Sequence, residues 1–332
     1  MRVVEVVLLV SVMCVWCVSS YSYAACDDLR SRLSDSTRVL HRGAHKEVKG
    51  AVLRPANDSV VLKRTPNQLL GSLLTVYEVL LKRSSFLPTL FGWCSRSSDM
   101  LVVQERVLPL AYAVSCLPTF SVSMRLVLLE RAAMLMRFLI QTDVIHCDFH
   151  RGQIGVRLHG ADGLPDVVLL DSDNLQRAGD ANRAEGVRHR CSSDQECRKL
   201  FPCLSNHRPY NDQRCSESRC SDVVPARWLV AALADLVEPI AFPGEEVLAA
   251  AAAATSPSWS FDASTQSALE QLLVDMRRAD ERRLAIVRVI GVLADLRNRT
   301  APFVASDRDA LLKCAALEEE VAIAACRKKK FC

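Results

Sequence analysis

Residues 144–153 read V-I-H-C-D-F-H-R-G-Q, and this stretch decides the fold. Before it, over 121–142, apolar residues recur at the spacing of one helix face, which predicts a long helix. The stretch itself is polar and contains Gly152, so it is predicted to be a loop. Two apolar runs, 154–157 and 167–170, lie on either side of a glycine-containing turn and predict a β-hairpin. The predicted order is therefore helix, irregular loop and hairpin.

The loop and the end of the hairpin carry carboxylate and amide side chains. Asp148 lies in the loop, Gln153 ends it, and Asp171 follows the second strand, 23 residues beyond Asp148. Phosphoryl transfer from a nucleotide needs a base near the incoming hydroxyl and oxygen ligands for Mg2+. Asp148 is therefore a candidate base, and Asp171 and Gln153 are candidate metal ligands.

These residues also have simpler interpretations. His146 and His150 are four residues apart and could suggest a zinc pair on a helix, but Gly152 and the following strand favour a loop. The Asp171-Ser172-Asp173 run could be an ordinary turn or a fragment of a calcium loop, although the downstream glycine and glutamate of a calcium loop are missing.

Upstream, the sequence predicts a short helix after residue 26 and then a small sheet. A helix is expected to begin at Thr65, which is followed by a proline and by the capping-box residue Gln68, and to end near Arg83. The predicted strands are 50–54, 59–64, 89–93 and 100–105.

The second of these strands ends in a lysine, Lys63, and Glu78 follows 15 residues later on the predicted helix. Nucleotide phosphates need a cation, and that cation needs a partner that orients it. Taken alone, each residue is more often a solvated surface group. They are candidates for nucleotide binding because they occur in the same chain as the predicted loop and hairpin.

Together these residues resemble the catalytic elements of protein kinases in order and spacing. The resemblance implies an α+β, bilobal kinase-like fold, with a small β-rich N-lobe that has one main helix and a larger helical C-lobe. ATP with Mg2+ or Mn2+ is the implied cofactor. Lys63 and Gly50 would lie at the nucleotide, Glu78 would orient Lys63, and His150 would act as a catalytic residue near the transferred phosphate.

A cysteine-rich block follows the Asp171 motif. Its members are Cys191, Cys197, Cys203, Cys215 and Cys220. The block is similar to the insert of the divergent protein kinase domain family of the secretory pathway, also called family with sequence similarity sixty-nine, whose relatives include the deleted-in-autism protein. The resemblance implies that the protein is located in the endoplasmic reticulum or the Golgi, or is secreted.

Disulfides are the expected state of these cysteines, and zinc ligation is the alternative. None of them forms a Cys-x-x-Cys pair, and an oxidising compartment favours disulfides. Five is an odd number, so at least one cysteine is expected to pair outside the block. The connectivity cannot be read from the spacing.

The N-terminus indicates entry into the secretory pathway. Arg2 precedes an apolar run at 6–18, and small residues follow at Ala24 and Ala25, which is the pattern of a signal peptide. Retention as a signal anchor is the alternative, and only then would the protein be bound to a membrane. Of 14 cysteines, twelve remain after cleavage. Asn57 and Asn298 begin glycosylation sequons.

The expected organisation has four parts. They are a signal at 1–24, the N-lobe at 25–108, the C-lobe at 109–326 with its Cys-rich region at 174–222, and a basic tail at 327–332. Further C-lobe helices are predicted at 224–238, 264–278, 281–296 and 307–325. Net charge is only +4 and the basic residues are dispersed, so no nucleic-acid partner is expected.

Several positions depart from an active kinase. Cys147 replaces the usual arginine, Gln153 replaces an asparagine, and Asp173 replaces a glycine. Two functions follow: a phosphotransferase that acts on a secretory-pathway protein or glycan, or a pseudokinase, nucleotide-binding or inert, that serves as a secreted ligand or lumenal scaffold.

Overall fold

The computed structural model shows an α+β protein with a small antiparallel sheet and several helices. It describes residues 26–33, 38–42, 47–54, 58–66, 85–95, 99–146, 149–158, 160, 163–170, 175–177, 191–200, 214–220, 225–243, 261–277, 286–300 and 307–317. The chain divides into two compact units, unit 1 (1–84, 88–106 and 317–332) and unit 2 (85–87 and 107–316). The chain passes from unit 1 into the main part of unit 2 between Arg106 and Val107.

Unit 1 contains a short helix and a five-stranded antiparallel sheet in the order β1-β2-β3-β5-β4. The elements are α1 (Cys26–Ser31), β1 (Arg38–Arg42), β2 (Glu47–Leu53), β3 (Asp58–Pro66), β4 (Leu90–Ser95) and β5 (Asp99–Glu105). The predicted short helix, the predicted hairpin and the predicted strand pair are confirmed as α1, β2–β3 and β4–β5. Strand β1 was not predicted.

The predicted start of the helix at Thr65 is wrong. Thr65 and Pro66 belong to β3 and lie opposite Met100 and Asp99 of β5. The capping sequence is a local signal, and the pairing of two long strands overrides it; Pro66 is tolerated because it ends the strand. The remainder of that predicted helix, with Glu78, lies outside the described residues.

One face of the sheet is covered by α1. Leu29 and Leu33 pack with Val60, Leu62 and other apolar residues into a buried cluster. The disulfide Cys26–Cys94 ties α1 to β4 on this face, across 68 residues of sequence. Because side chains alternate along β3, Val61 and Lys63 lie on the opposite face.

Unit 2 is mainly helical. Its strands are β6 (Leu108–Pro109), β7 (Val144–His146), β8 (Ile154–Arg157), β9 (Asp166–Leu169), β10 (Leu175–Arg177), β11 (Cys215–Ser216) and β12 (Arg219–Cys220). Its helices are α2 (Leu110–Ser115), α3 (Val122–Gln141), α4 (Asp194–Leu200), α5 (Pro225–Ala241), α6 (Ala263–Arg277), α7 (Ile286–Arg299) and a helix over 307–317. Among the described residues, 3-10 turns include Leu117–Thr119 and Arg151–Gln153. The predicted long helix and the predicted helices at 224–238 and 264–278 are confirmed, and those at 281–296 and 307–325 are confirmed where the structure describes them, from residue 286 and up to residue 317.

Helix α3 is the centre of unit 2. The Ser121 hydroxyl accepts a hydrogen bond from the Met124 amide at 3.1 Å and so begins the helix as predicted. Helix α3 packs against α5 and α7. The disulfide Cys116–Cys314 closes a separation of 198 residues around this core.

A buried arginine joins α3 to the end of α5. Arg125 is 1% exposed, and its guanidinium donates to the carbonyl oxygens of Ile240 at 3.0 Å and Ala241 at 2.8 Å. Its carbon Cζ lies 4.1 Å from the centre of the Phe261 ring. Burial lowers the pKa of Arg125 to about 10, so the group stays charged at neutral pH. The cation satisfies carbonyls that the helix end leaves unbonded.

Candidate functional site

The two predicted metal ligands, Gln153 and Asp171, flank the hairpin β8–β9 in the sequence. Ile154 pairs with Leu169, and beyond this pair the Leu170 amide donates to the Gln153 carbonyl at 2.8 Å. The hairpin therefore fixes Gln153 beside Leu170. Asp171 and Asp148 lie outside the described residues, but one peptide bond, about 3.8 Å between Cα atoms, joins Asp171 to Leu170.

The side chain of His150 caps the 3-10 turn that leads to Gln153. Its Nδ1 accepts a hydrogen bond from the Gly152 amide at 3.0 Å, and its Nε2 lies 3.2 Å from Nε2 of Gln153. A β-carbon on Gly152 would lie 2.7 Å from Cε1 of His150 and 3.0 Å from Nδ1. The glycine thus makes room for the imidazole ring.

This contact decides how the Gln153 amide is oriented. The Gly152 amide can only donate, so Nδ1 of His150 is unprotonated and a neutral ring carries its proton on Nε2. Two N–H groups cannot face each other at 3.2 Å, so the carboxamide must turn its oxygen to His150. His150, predicted as a catalytic residue, is thereby placed to orient the predicted metal ligand Gln153.

His146 is not available as a surface ligand. It is fully buried in β7, and its ring meets that of Phe149 edge-on with centroids 5.9 Å apart. Because His146 lies on a strand, the interpretation of His146 and His150 as a zinc pair on one helix is wrong.

In unit 1, the predicted nucleotide residues share one face of the sheet. Gly50 pairs with Val61 across β2 and β3, and Lys63 lies two residues further along β3. Paired residues, and residues two apart on a strand, point to the same side. Gly50 and Lys63 therefore both lie on the face opposite α1, which we call the lysine face. Gly50 lies within β2 rather than at its start.

A second polar residue on the lysine face was missed by sequence reasoning. Gln104 of β5 pairs with Val61, so it points the same way as Lys63. It is 3% exposed, and its Nε2 atom has no hydrogen-bond partner among the described residues. The signal in the sequence is an amide directly after the apolar run 100–103, and its orientation appears only once the strand register is known.

The Cys-rich block forms a small module around helix α4. Cys191 is bonded to Cys215, and Cys197 is bonded to Cys220. The sulfur atoms of Cys191, Cys197 and Cys220 lie within 4.8 Å of one another. Because they are in disulfides, these sulfurs are not the thiolates that zinc requires. Cys203 lies outside the described residues.

The disulfides fit an extracellular or lumenal protein, and four of them join described residues. Asn298 is exposed near the end of α7, and Asn57 lies outside the described residues. In the part of the chain that the structure describes, no helix has the length and apolar character needed to cross a bilayer.

No protein-family model matches this sequence, and no curated protein matches it at a significant level. The residues and their geometry are therefore the basis for any functional proposal.

Proposed function

We propose that this chain is an ATP- and metal-dependent phosphotransferase of the secretory pathway that acts on hydroxyl groups of proteins or glycans. On this proposal it is a divergent, kinase-like protein of the family that its sequence resembles. The observation that carries the proposal is the hydrogen bond between Leu170 and Gln153, because it holds one predicted metal ligand beside the residue that precedes the other, Asp171.

Unit 1 supports the same proposal. In protein kinases, the lysine that holds the phosphates lies on the third strand of the small lobe. Lys63 lies on β3, the third strand of a five-stranded sheet, and is partly exposed. Strand β3 is central, with β2 and β5 on either side, so its backbone is rigidly held. A lysine on such a strand can place its ammonium group precisely.

The proposed roles follow from the chemistry of each side chain. Lys63 neutralises nucleotide phosphates, and Glu78 orients it. The oxygens of Asp171 and Gln153 suit Mg2+ or Mn2+, which would shield charge on the transferred phosphate. Asp148 orients the acceptor hydroxyl and receives its proton.

One observation favours the second candidate, a pseudokinase that serves as a secreted ligand or lumenal scaffold. Nε2 of His150 lies 3.2 Å from the Gln153 carboxamide, and a carboxamide oxygen turned toward its N–H has one of its two lone pairs engaged before any metal binds. In that case nucleotide binding would be weak or independent of metal.

Thermal unfolding of the glycosylated, oxidised protein tests the proposal. ATP with Mn2+ should raise the midpoint, since a ligand at 100 times its Kd adds about 2.7 kcal/mol to the free energy of unfolding. Lys63→Met should abolish the rise. Lys49→Met is the matched control, because Lys49 lies on the opposite face of the same sheet and its ammonium contacts Glu47 at 2.6 Å.

Either of two results would count against the phosphotransferase. A rise in the unfolding midpoint that does not need metal would favour the pseudokinase. If Lys63→Met and Lys49→Met lose the rise equally, Lys63 is not part of the nucleotide site.

A further inference from the structure

Two disulfides of the Cys-rich block lie side by side. Cys191 is bonded to Cys215 and Cys197 to Cys220, and the sulfurs of Cys191, Cys197 and Cys220 lie within 4.8 Å of one another. One sulfur of the first bond is therefore close to both sulfurs of the second. Thiol–disulfide exchange needs such an approach, because a thiolate attacks a disulfide sulfur directly.

The strand register allows a second way of pairing the same four cysteines. Cys215 and Cys220 are directly opposite each other on β11 and β12, and such residues have Cα atoms about 4.5–5.5 Å apart. A disulfide spans about 4.4–6.8 Å between Cα atoms, so these two cysteines are placed to bond to each other. The remaining pair, Cys191 and Cys197, already has its sulfurs within 4.8 Å. The alternative pairing therefore joins sulfurs that are neighbours in the present structure.

The hairpin side of each disulfide is the accessible side. Cys191 and Cys197 are 6% and 0% exposed, whereas Cys215 and Cys220 are half-buried in a hairpin whose other residues are exposed. A thiolate from solvent therefore reaches the hairpin cysteines first.

Hydrogen bonds hold the α4 segment against the hairpin when one disulfide opens. The Cys191 amide donates to the Ser218 carbonyl at 3.1 Å, and the Cys215 amide donates to Oδ1 of Asp194 at 2.8 Å. A freed thiolate of the block therefore stays beside the neighbouring disulfide. Its attack on that disulfide is intramolecular and competes well with a second thiolate from solvent.

The alternative pairing also costs less chain entropy than the present one. Its bonds join residues that are six and five positions apart, whereas the present bonds span separations of 24 and 23 residues. The entropy lost in closing a loop grows with the length of the loop. The exposed residues of the hairpin, 216–219, bury little surface that would offset this difference.

We propose that the Cys-rich block is a thiol–disulfide exchange site, at which a thiolate converts the present bonds to Cys191–Cys197 and Cys215–Cys220. The thiolate attacks Sγ of Cys215, forms a mixed disulfide there and releases the Cys191 thiolate. That thiolate attacks Cys197, forms the first new bond and releases the Cys220 thiolate, which attacks Cys215 and expels the reagent as a thiolate. Two disulfides break and two form, so no oxidant or reductant is consumed.

The product no longer ties α4 covalently to the hairpin. The site thus switches the Cys-rich block between a cross-linked form and an uncoupled form. This inference does not depend on the proposed phosphotransferase activity, because neither ATP nor metal takes part in the exchange.

Peptide mapping of the full-length, oxidised protein tests the exchange. The protein is incubated with reduced glutathione, free thiols are blocked with N-ethylmaleimide, and the tryptic peptides of the unfolded chain are analysed by mass spectrometry without reduction. In the present pairing, peptide 191–198 is linked to both 215–219 and 220–227. After exchange, 191–198 carries an internal disulfide and 215–219 is linked only to 220–227. At least about a tenth of the molecules should be exchanged, the share expected when the two pairings differ in stability by no more than about ten-fold.

Two controls accompany this measurement. In the same samples, the bond Cys116–Cys314 should stay intact, because it is not part of the sulfur cluster and Cys314 is 2% exposed. In a variant with both Cys197→Ala and Cys220→Ala, glutathione should stay attached to the remaining pair or reduce it, since no neighbouring disulfide receives the freed thiolate.

Either of two wild-type results would overturn the proposal. The first is that the three linked peptides persist, and the second is that all four cysteines become blocked thiols without any exchanged pair. Should the double variant not fold, the wild-type map decides alone. Because the assay contains no nucleotide, its failure leaves the proposed function standing.

Discussion

Two β-hairpins in unit 2 are held in place by different forces. The strands of β8–β9 are almost entirely buried: Ile154, Val156 and Val168 are 0% exposed. The β11–β12 hairpin is mostly exposed and is fixed by the bonds from Cys215 and Cys220 to the Cys191–Cys197 segment. The first hairpin depends on the apolar core, and the second depends on covalent cross-links.

The turns of the two hairpins differ in the same way. Among the described residues of the first turn, Gly163 has a positive φ of 78°, which glycine adopts without steric cost. In the second, Glu217 and Ser218 have φ values of 52° and 61°, a conformation that side chains disfavour. The buried hairpin has glycine at a position of positive φ, whereas the exposed hairpin has Glu217 and Ser218 where glycine or asparagine is preferred, and its cross-links help to hold it closed.

The largest expected effect comes from breaking the apolar hairpin. Leu169→Ala should lower the free energy of unfolding by about 4 kcal/mol, since Leu169 is 1% exposed and its loss leaves a cavity. Leu312→Ala, at a position 41% exposed, is the control and should change it by less than about 0.5 kcal/mol. Urea unfolding measures both. Equal effects would show that burial does not hold β8–β9.

Removal of a cross-link should have a smaller and more local effect. Replacing Cys197 and Cys220 together by alanine opens a separation of 23 residues, which costs about 3 kcal/mol in the chain-entropy account. Trypsin should then cut at the exposed Arg219 much faster, while hydrogen exchange in β8–β9 stays slow. Faster exchange in β8–β9 would mean that the two hairpins form one cooperative unit.

The comparison also shows what the sequence could predict. The β8–β9 hairpin was predicted because two apolar runs flank a glycine turn, and long-range packing agrees with that local pattern. Thr65 was assigned wrongly because a local capping signal competed with strand pairing. The bonds Cys191–Cys215 and Cys197–Cys220 were not predicted, since spacing does not determine connectivity. Helix α4 was missed within a region that looked irregular.

The candidate site was predicted only in part for a related reason. The sequence identifies residue types in order, so Lys63 and Gln153 could be named as candidates. It does not give register or side-chain orientation, so Gln104 and the contact between His150 and Gln153 were missed. Both depend on contacts that form only when strands or turns are in place.

The smallest expected effect comes from a substitution at Gly152, in the 3-10 turn that precedes β8. Gly152→Ala should displace the His150 ring, because the new β-carbon would lie 2.7 Å from Cε1. The backbone at Gly152 lies outside the left-handed region, so alanine causes no backbone strain there. Without its hydrogen bond from His150, Gln153 gains rotamer freedom, and Mn2+-dependent ATP binding should weaken two- to five-fold, or about 0.4–1 kcal/mol.

Gly291→Ala is the control for that change. Apart from its chain neighbours and the backbone of α7, nothing lies within 4 Å of a β-carbon at Gly291, so alanine should stabilise the helix by about 1 kcal/mol and leave Mn2+-dependent ATP binding unchanged. Titration of both variants with ATP at fixed Mn2+ makes the comparison. Tighter binding by Gly152→Ala would mean that His150 withholds the Gln153 oxygen from metal, which is the behaviour expected of the pseudokinase.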